Sequence, residues 1–332
     1  MIGMLKEKCS YFGKCGGCVW QDLSPEEYIA KKESFVNHAF QDVELSVTLE
    51  PMILIPTGTR RRSSFAFMGS HFGYNENKSH KIVDITKCPL LTENINKALP
   101  ILKQTVMKLK SVGDCFVLDT PSGLDIHIKD NKGLPKLEQL ELLTLLNQEP
   151  LIVRVVYNDT PIFEKTSLPN TADSFAQPSL EGEQMLVQLI LQEIGNIKTA
   201  VDLFCGKGTF TRPLLEKGTY ATGYDNSSAV TVLGSNGQQR DLFRNPLIPD
   251  ELKNIDLAIL DPPRAGALAQ VEQLAQSGVH TIIMVSCNPK TAARDIKILF
   301  DNGWQIQKIT PVDQFTYSNH IELVCILKKI TA

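Results

Sequence analysis

The chain has 332 residues, 42% hydrophobic and 21% charged, a globular composition with length for two or three domains at roughly 100–200 residues each. Against 34 Lys and Arg stand 37 Asp and Glu, a net charge of −3, so no whole-chain basic field marks a non-specific nucleic-acid binder. No apolar run approaches the roughly 18 residues of a membrane-spanning helix, and Met1–Phe12 lacks the apolar core of a signal peptide. A soluble, cytoplasmic, monomeric protein with no membrane and no evident protein partner is the expectation.

The chain opens on crowded cysteines: Cys9, Cys15 and Cys18, the last two flanking Gly16-Gly17. Reduced thiols on a Gly-rich loop can converge on one metal centre, and Cys88, in Lys87-Cys88-Pro89, is the candidate fourth ligand. Four thiolates suit zinc or an iron–sulfur cluster, and spacing alone does not choose. Cys115 and Cys325 lie inside apolar runs and read as small buried hydrophobes.

Ser24-Pro25-Glu26-Glu27 then predicts a capped helix start, followed by Tyr28, Ile29, Phe35, Val36, Ala39 and Phe40 at helical spacing. From about residue 46 to 170 the pattern changes to a mostly antiparallel β region. Ser64–Phe67, Phe116–Asp119, Asp125–Ile128 and Leu151–Tyr157 are its strands, with one helix near Glu93–Lys110. Arg60, Arg61 and Arg62 stand at the start of one strand, equally a solvated charge run or a phosphate-contacting set.

From about residue 180 helices and strands alternate. A helix over Leu180–Ile194 leads to strands Thr199–Phe204, Tyr220–Tyr224, Asp256–Leu260, Thr281–Val285, Gln305–Ile309 and Ile321–Leu327. Gly218, Gly278 and Gly303 fall where helix C-caps belong. The alternation predicts a doubly wound sheet with its ligand at the carboxyl ends of the strands.

Asp202-Leu203-Phe204-Cys205-Gly206-Lys207-Gly208 is a strand turning on two glycines into a helix, and Asp225 closes the next strand, placed to bind both hydroxyls of a ribose. The third glycine of a dinucleotide fingerprint is missing, since Phe210 and Thr211 occupy that stretch. An acid opening the loop suits an ammonium, so S-adenosylmethionine is the preferred ligand. Asp241 is a weaker candidate for the adenine end.

Asp261-Pro262-Pro263-Arg264 ends the apolar strand before it, where two prolines hold a rigid platform. Many methyltransferases acting on bases place an acid or Asn and two prolines here; an aromatic in fourth place usually stacks a base methylated on its exocyclic amine, and this chain has Arg264. Cys287, in Ser286-Cys287-Asn288-Pro289, ends the following strand at a helix start, a position expected to favour thiolate. Glu322, after His320-Ile321, opens the last apolar strand and can serve as a base beside Cys287.

Together these motifs resemble the RNA uracil-C5 methyltransferases, specifically the branch with an iron–sulfur cluster, over nearly the whole chain. The resemblance implies a [4Fe–4S] cluster on Cys9, Cys15, Cys18 and Cys88. It implies a donor site including Asp202, Phe204, Gly206, Gly208, Asp225, Asp241 and Asp261, with Gln177 of Phe175-Ala176-Gln177 touching donor and substrate. Pro178-Ser179 stand where the family has its usual Asn two residues beyond the glutamine, and the small N-terminal β-barrel of some members is expected to be absent.

The implied fold is α/β: a Rossmann-like class I methyltransferase domain over 173–332, a β-rich RNA-contacting domain over 46–172, and a cysteine loop and helix over 1–45. The implied reaction is S-adenosylmethionine-dependent methylation of a uridine C5 through a Cys287–C6 adduct, with Glu322 as base, Gln177 and Asp261 on the uracil edge, and Arg60–Arg62 on phosphates. The expected RNA is 23S rRNA, with tRNA as the alternative. The rivals are an exocyclic-amine methyltransferase and a non-catalytic iron–sulfur RNA-binding protein.

Overall fold

A computed structural model of the chain describes residues 8–133, 149–168 and 175–330, together with Thr144 and Ala172. The chain divides into two compact units, and neither is continuous in sequence: one takes Ser24–Leu54, Gly182–Gln314 and Asn319–Ala332, the other Ile55–Glu181 with the residues before Ser24 and Phe315–Ser318.

Helix α1 (Pro25–Gln41) begins as its sequence predicts. Ser24 Oγ accepts the Glu27 N–H at 3.2 Å while Glu27 Oε2 accepts the Ser24 N–H at 2.8 Å, a reciprocal cap. Its buried side chains are Tyr28, Lys32, Val36, Ala39 and Phe40, so a lysine sits inside the apolar stripe. Strand β1 (Ile53–Leu54) follows and pairs in parallel far along the chain, with Val312 and Asp313.

The unit centred on Ile55–Glu181 carries β2 (Arg62–Met68), β3 (His71–Asn75), β4 (Ile82–Asp84), α2 (Glu93–Leu109), β5 (Val112–Thr120), β6 (Gly123–Asp130), β7 (Ile152–Tyr157) and β8 (Thr160–Glu164). The sheet order is β4-β3-β2-β5-β6-β7-β8, antiparallel except for the β6–β7 pair. Helix α2 lays Ile95, Leu99, Leu102 and Val106 against Phe65, Phe67, Val117 and Ile126.

The second unit continues with α3 (Leu180–Glu193), β9 (Thr199–Leu203), α4 (Thr211–Glu216), β10 (Tyr220–Asp225), a 3₁₀ segment (Ser228–Asn236) and β11 (Gly237–Gln239). Then come β12 (Leu257–Leu260), α5 (Leu268–Ala275), β13 (Thr281–Ser286), α6 (Pro289–Asp301), β14 (Trp304–Asp313) and β15 (Glu322–Lys329). Sheet order is β1-β14-β15-β13-β12-β9-β10-β11, parallel except that β15 runs antiparallel to both neighbours. Chain order reverses between β9 and β12, so a crevice opens beyond their carboxyl ends, the ligand position of doubly wound sheets. Strands β12 and β13 are buried throughout, as strands covered on both faces must be.

Gly218 and Gly303 take positive φ just past α4 and α6, as C-caps do. Gly278 differs from expectation. Helix α5 ends at Ala275 with Gln276 as a right-handed cap, and Ser277 Oγ bonds the Leu274 carbonyl instead, so Gly278 needs no positive φ.

Candidate active site

The register of the mostly parallel sheet gathers one set of side chains. Leu260 of β12 pairs with Leu203 of β9 on one side and Met284 of β13 on the other. On the far side Ser286 pairs with Leu323 of antiparallel β15, so Cys287 leaves its strand beside Glu322, where β15 begins. Asp261, Cys287 and Glu322 therefore stand at one edge, from three neighbouring strands.

Their electrostatics follow from that crowding. Glu322 is buried and accepts the Gln314 side-chain N–H at 3.1 Å, yet desolvation holds its carboxyl above the usual range. Asp261 is likewise held well above its usual range, by desolvation and then by the charges of Glu322, Asp202 and Asp225. Burial, then these two carboxylates, push the Cys287 thiol up to about 11, while Arg264 pulls it down. The expected thiolate-favouring helix start is thus overruled in the free protein. Pro289 has no N–H, the Lys290 N–H is taken by Asn288 Oδ1 at 3.2 Å and the Asn288 N–H by Ser286 Oγ at 3.3 Å, so the first donors of α6 are spent.

The two loops bearing these groups are clamped together. The Arg264 carbonyl accepts the Asn288 side-chain N–H at 3.0 Å and the Thr291 hydroxyl at 3.3 Å, Arg294 donates to the Ala265 carbonyl at 3.1 Å, and Asp295 accepts the Ala267 N–H at 2.7 Å. Gly266 has positive φ, and a Cβ there would stand 2.5 Å from Arg294. Arg264 Nη2 itself meets His320 Nδ1 at 3.1 Å.

The glycine turn after β9 forms as predicted. Gly208 has φ +83°, and a Cβ on it would approach Leu233 to 2.5 Å, so both conformation and space require glycine. Phe204 also adopts positive φ, a strained position for a side-chain-bearing residue, and its ring meets Phe243 at 5.2 Å. Asp225 is fixed by accepting the Gly206 N–H at 2.9 Å and the Ser227 N–H at 2.7 Å. Asp202 is fully buried. Its Oδ2 accepts the Thr211 hydroxyl at 2.6 Å, its Oδ1 has no hydrogen-bond partner among the described residues, and burial pushes its pKa up to about 7. Asp241 accepts the Phe243 N–H at 3.0 Å, ordering the turn that carries that ring.

The remaining predicted residues lie in the antiparallel-sheet unit. Gln177 is buried and its carbonyl accepts Arg61 Nε at 3.0 Å, while the Arg61 N–H bonds the Pro178 carbonyl. Arg60, Arg61 and Arg62 are each half-buried, so they are not a solvated run. Arg60 lines a cavity of about 70 Å³ with Cys9, Cys15, Cys18 and Cys88, several times the roughly 10–15 Å³ one water needs. Gly16 lets that loop close, because its N–H bonds the Asn75 carbonyl and a Cβ would stand 2.9 Å from the same oxygen. Burial, then the neighbouring thiols Cys88 and Cys15, push Cys18 up to about 12 despite Gln21 and Arg60; burial likewise raises Cys15 and Cys88. The four thiols surround a volume without converging on a point. Among the described residues, no three His, Cys, Asp or Glu side chains gather tightly enough for a single metal ion.

Sequence reasoning missed Gln314, the Asp295 clamp and Lys32. Only Lys32 left a local signal, a charge one turn after Tyr28 within the apolar stripe of α1.

The family described as tRNA (Uracil-5-)-methyltransferase matches residues 234–330, the stretch holding Asp261, Cys287 and Glu322. A 23S rRNA (uracil(1939)-C(5))-methyltransferase of Vibrio campbellii is 25% identical over 97% of this chain and 81% of its own. Among solved structures, a Pyrococcus abyssi tRNA (uracil-54, C5)-methyltransferase in complex with S-adenosyl-L-homocysteine superposes with TM-score 0.69. It covers 95% of this chain and 86% of its own at 22% identity, and shows the α/β methyltransferase fold. An RNA methyltransferase of Agrobacterium fabrum, itself uncharacterized, is 34% identical across 96% of this chain and 83% of its length. A likeness of that extent places the chain in the RNA methyltransferase family.

Proposed function

We propose that this RNA methyltransferase transfers the methyl group of S-adenosylmethionine to C5 of a uridine, with Cys287 as nucleophile and Glu322 as base. The observation that carries the reading is the β13–β15 register, which sets the Cys287 thiol beside a carboxyl of raised pKa at a sheet edge shared with Asp261. Methylation of an exocyclic amine, whose nitrogen attacks the methyl group directly with no addition to a ring carbon, has no use for that pair.

The residues of the glycine turn fit the donor. The unpartnered Asp202 Oδ1 suits an ammonium, Asp225 retains lone pairs for ribose hydroxyls, and Phe204 with Phe243 offers apolar rings to a base. The Cys287 thiol must first give its proton to water, and Arg264 favours the thiolate that is left. The thiolate then adds to C6, making C5 nucleophilic; C5 takes the methyl group from the sulfonium, Glu322 removes the C5 proton, and the C6–S bond breaks to return the thiolate. Gln177 keeps its proposed place at the uracil O4 edge on the resemblance alone.

Cys9, Cys15, Cys18 and Cys88 fit a [4Fe–4S] cluster better than zinc, because four thiols around a cavity match a body larger than one ion bound at about 2.3 Å from each sulfur. Bound there, a cluster would tie the Cys9–Cys18 loop to Cys88. Arg60, on the wall of the same cavity, would offset the negative charge of a bound cluster; Arg61 holds the Gln177 segment. Anaerobic protein should carry iron and acid-labile sulfide in equal amounts; stoichiometric zinc without sulfide overturns the assignment.

The proposed substrate is 23S rRNA, on the resemblance to the cluster-bearing branch and the Vibrio relative. Mass-spectrometric mapping of 5-methyluridine in a deletion strain decides it. Loss from 23S rRNA supports this, loss from tRNA alone replaces the substrate, and loss from neither contradicts C5 methylation.

A further inference from the structure

Lys32 lies on α1, almost three hundred residues before the proposed base, and is 1% exposed. Its Nζ donates to Asp313 Oδ1 at 2.8 Å and also to the His320 carbonyl. Tyr28, one turn earlier, donates its hydroxyl to Asp313 Oδ2 at 2.5 Å, and the ammonium stands 5.5 Å from the Tyr28 ring. Asp313 closes β14 and precedes Gln314, the residue that bonds Glu322. His320 precedes Glu322 by two residues, and its ring meets Arg264. One buried ammonium thus holds both chain segments that aim Glu322 and its neighbours. Desolvating a lysine is costly, and apolar packing holds a helix to a sheet without that cost.

We propose that Lys32, with Asp313 and Tyr28, is a positioning element for the base: it sets Gln314 and His320 so that Glu322 reaches the C5 proton. The proposal rests on the C5 reading above. It makes a specific kinetic claim, because a displaced Glu322 leaves addition and methyl transfer intact and delays only proton removal. The species that builds up is the enzyme still joined to methylated RNA through C6–S, with the C5 hydrogen in place.

The test is single-turnover reaction of full-length Lys32→Met on unmodified 23S rRNA and tRNA transcripts. Covalent enzyme–RNA complex is read on denaturing gels beside wild type and Glu322→Gln. A misplacement near 1 Å is worth roughly 10²-fold, so decay of the methylated adduct should slow by about 10- to 100-fold and the adduct accumulate; in steady state kcat and KM should fall together, with kcat/KM and donor binding within about twofold. Adduct in Glu322→Gln but none in Lys32→Met overturns the positioning role and leaves the C5 reading standing. No adduct in Glu322→Gln overturns the base assignment itself. Should Lys32→Met fail to fold, Tyr28→Phe carries the test, since it removes one donor to Asp313 and keeps the ion pair. It should raise the adduct fraction by about 2- to 5-fold, short of the full misplacement effect, and an unchanged fraction is a contradiction.

Discussion

Cys18, in the cavity of the antiparallel-sheet unit, and Cys287, at the end of β13, are both pushed far above the ordinary thiol range, to about 12 and about 11. Burial is the first cause for each, and the next influence that raises the value differs. Around Cys18 it is other thiols, Cys88 and Cys15, with Arg60 the opposing charge; around Cys287 it is the Glu322 and Asp261 carboxylates, with Arg264 opposing. A group of thiols repelling one another is relieved by a shared cation. A thiol repelled by carboxylates stands beside groups that can take protons. On the functions proposed above, the same raised pKa belongs to a binding place in one unit and to a proton-handling place in the other.

The largest effect that can break this contrast is Cys287→Ala, which should lower 5-methyluridine formation by about 10⁴-fold or more while leaving iron content unchanged. Cys18→Ala should reverse the pattern, losing iron first. Next comes Glu322→Gln, expected to lose about 10²- to 10⁴-fold in turnover, the range of general base catalysis.

A smaller effect sharpens the electrostatics. With its pKa near 11, Cys287 in the free protein should alkylate at pH 7.5 roughly 10²-fold more slowly than an ordinary thiol, with the rate rising as pH rises toward 11. Arg264→Gln removes the charge that favours the thiolate and should slow that reaction further, by about threefold, read by mass spectrometry of the Cys287 peptide.

The smallest is a stability effect at Asp202. Its carboxyl titrates near 7 when folded against 3.8 in the reference state. The unfolded chain releases this proton first, so the contribution to stability is full below pH 3.8 and lost as pH rises toward 7. Asp202→Asn has no proton to lose. Its melting temperature should overtake that of wild type across this window by a few degrees while donor affinity falls, and a constant difference from pH 4 to 8 contradicts the burial account.

Local chemistry made much of this legible. The Ser24 and Glu27 cap, the glycine turn after Asp202 and the β-rich stretch are written in neighbouring residues, and the structure has them. What escaped is non-local. The helix start at Pro289 argued for a thiolate, yet the groups that settle the Cys287 titration come from β12 and β15, and only strand register brings them there. Strand β1 joins a sheet whose other strands begin at Thr199, and Lys32 meets Asp313 and His320, contacts that no window around residues 25–54 contains.

The central claim is a bond between Cys287 Sγ and a pyrimidine carbon, and trapping tests it most directly. On 5-fluorouracil-substituted RNA with S-adenosylmethionine present, C5 carries fluorine where Glu322 would take a proton, so the adduct cannot resolve. The account predicts a stable enzyme–RNA complex whose digested peptide bears methylated fluorouracil on Cys287, absent in Cys287→Ala. Methyl transfer to ordinary RNA with no such complex on the fluorinated RNA would contradict it.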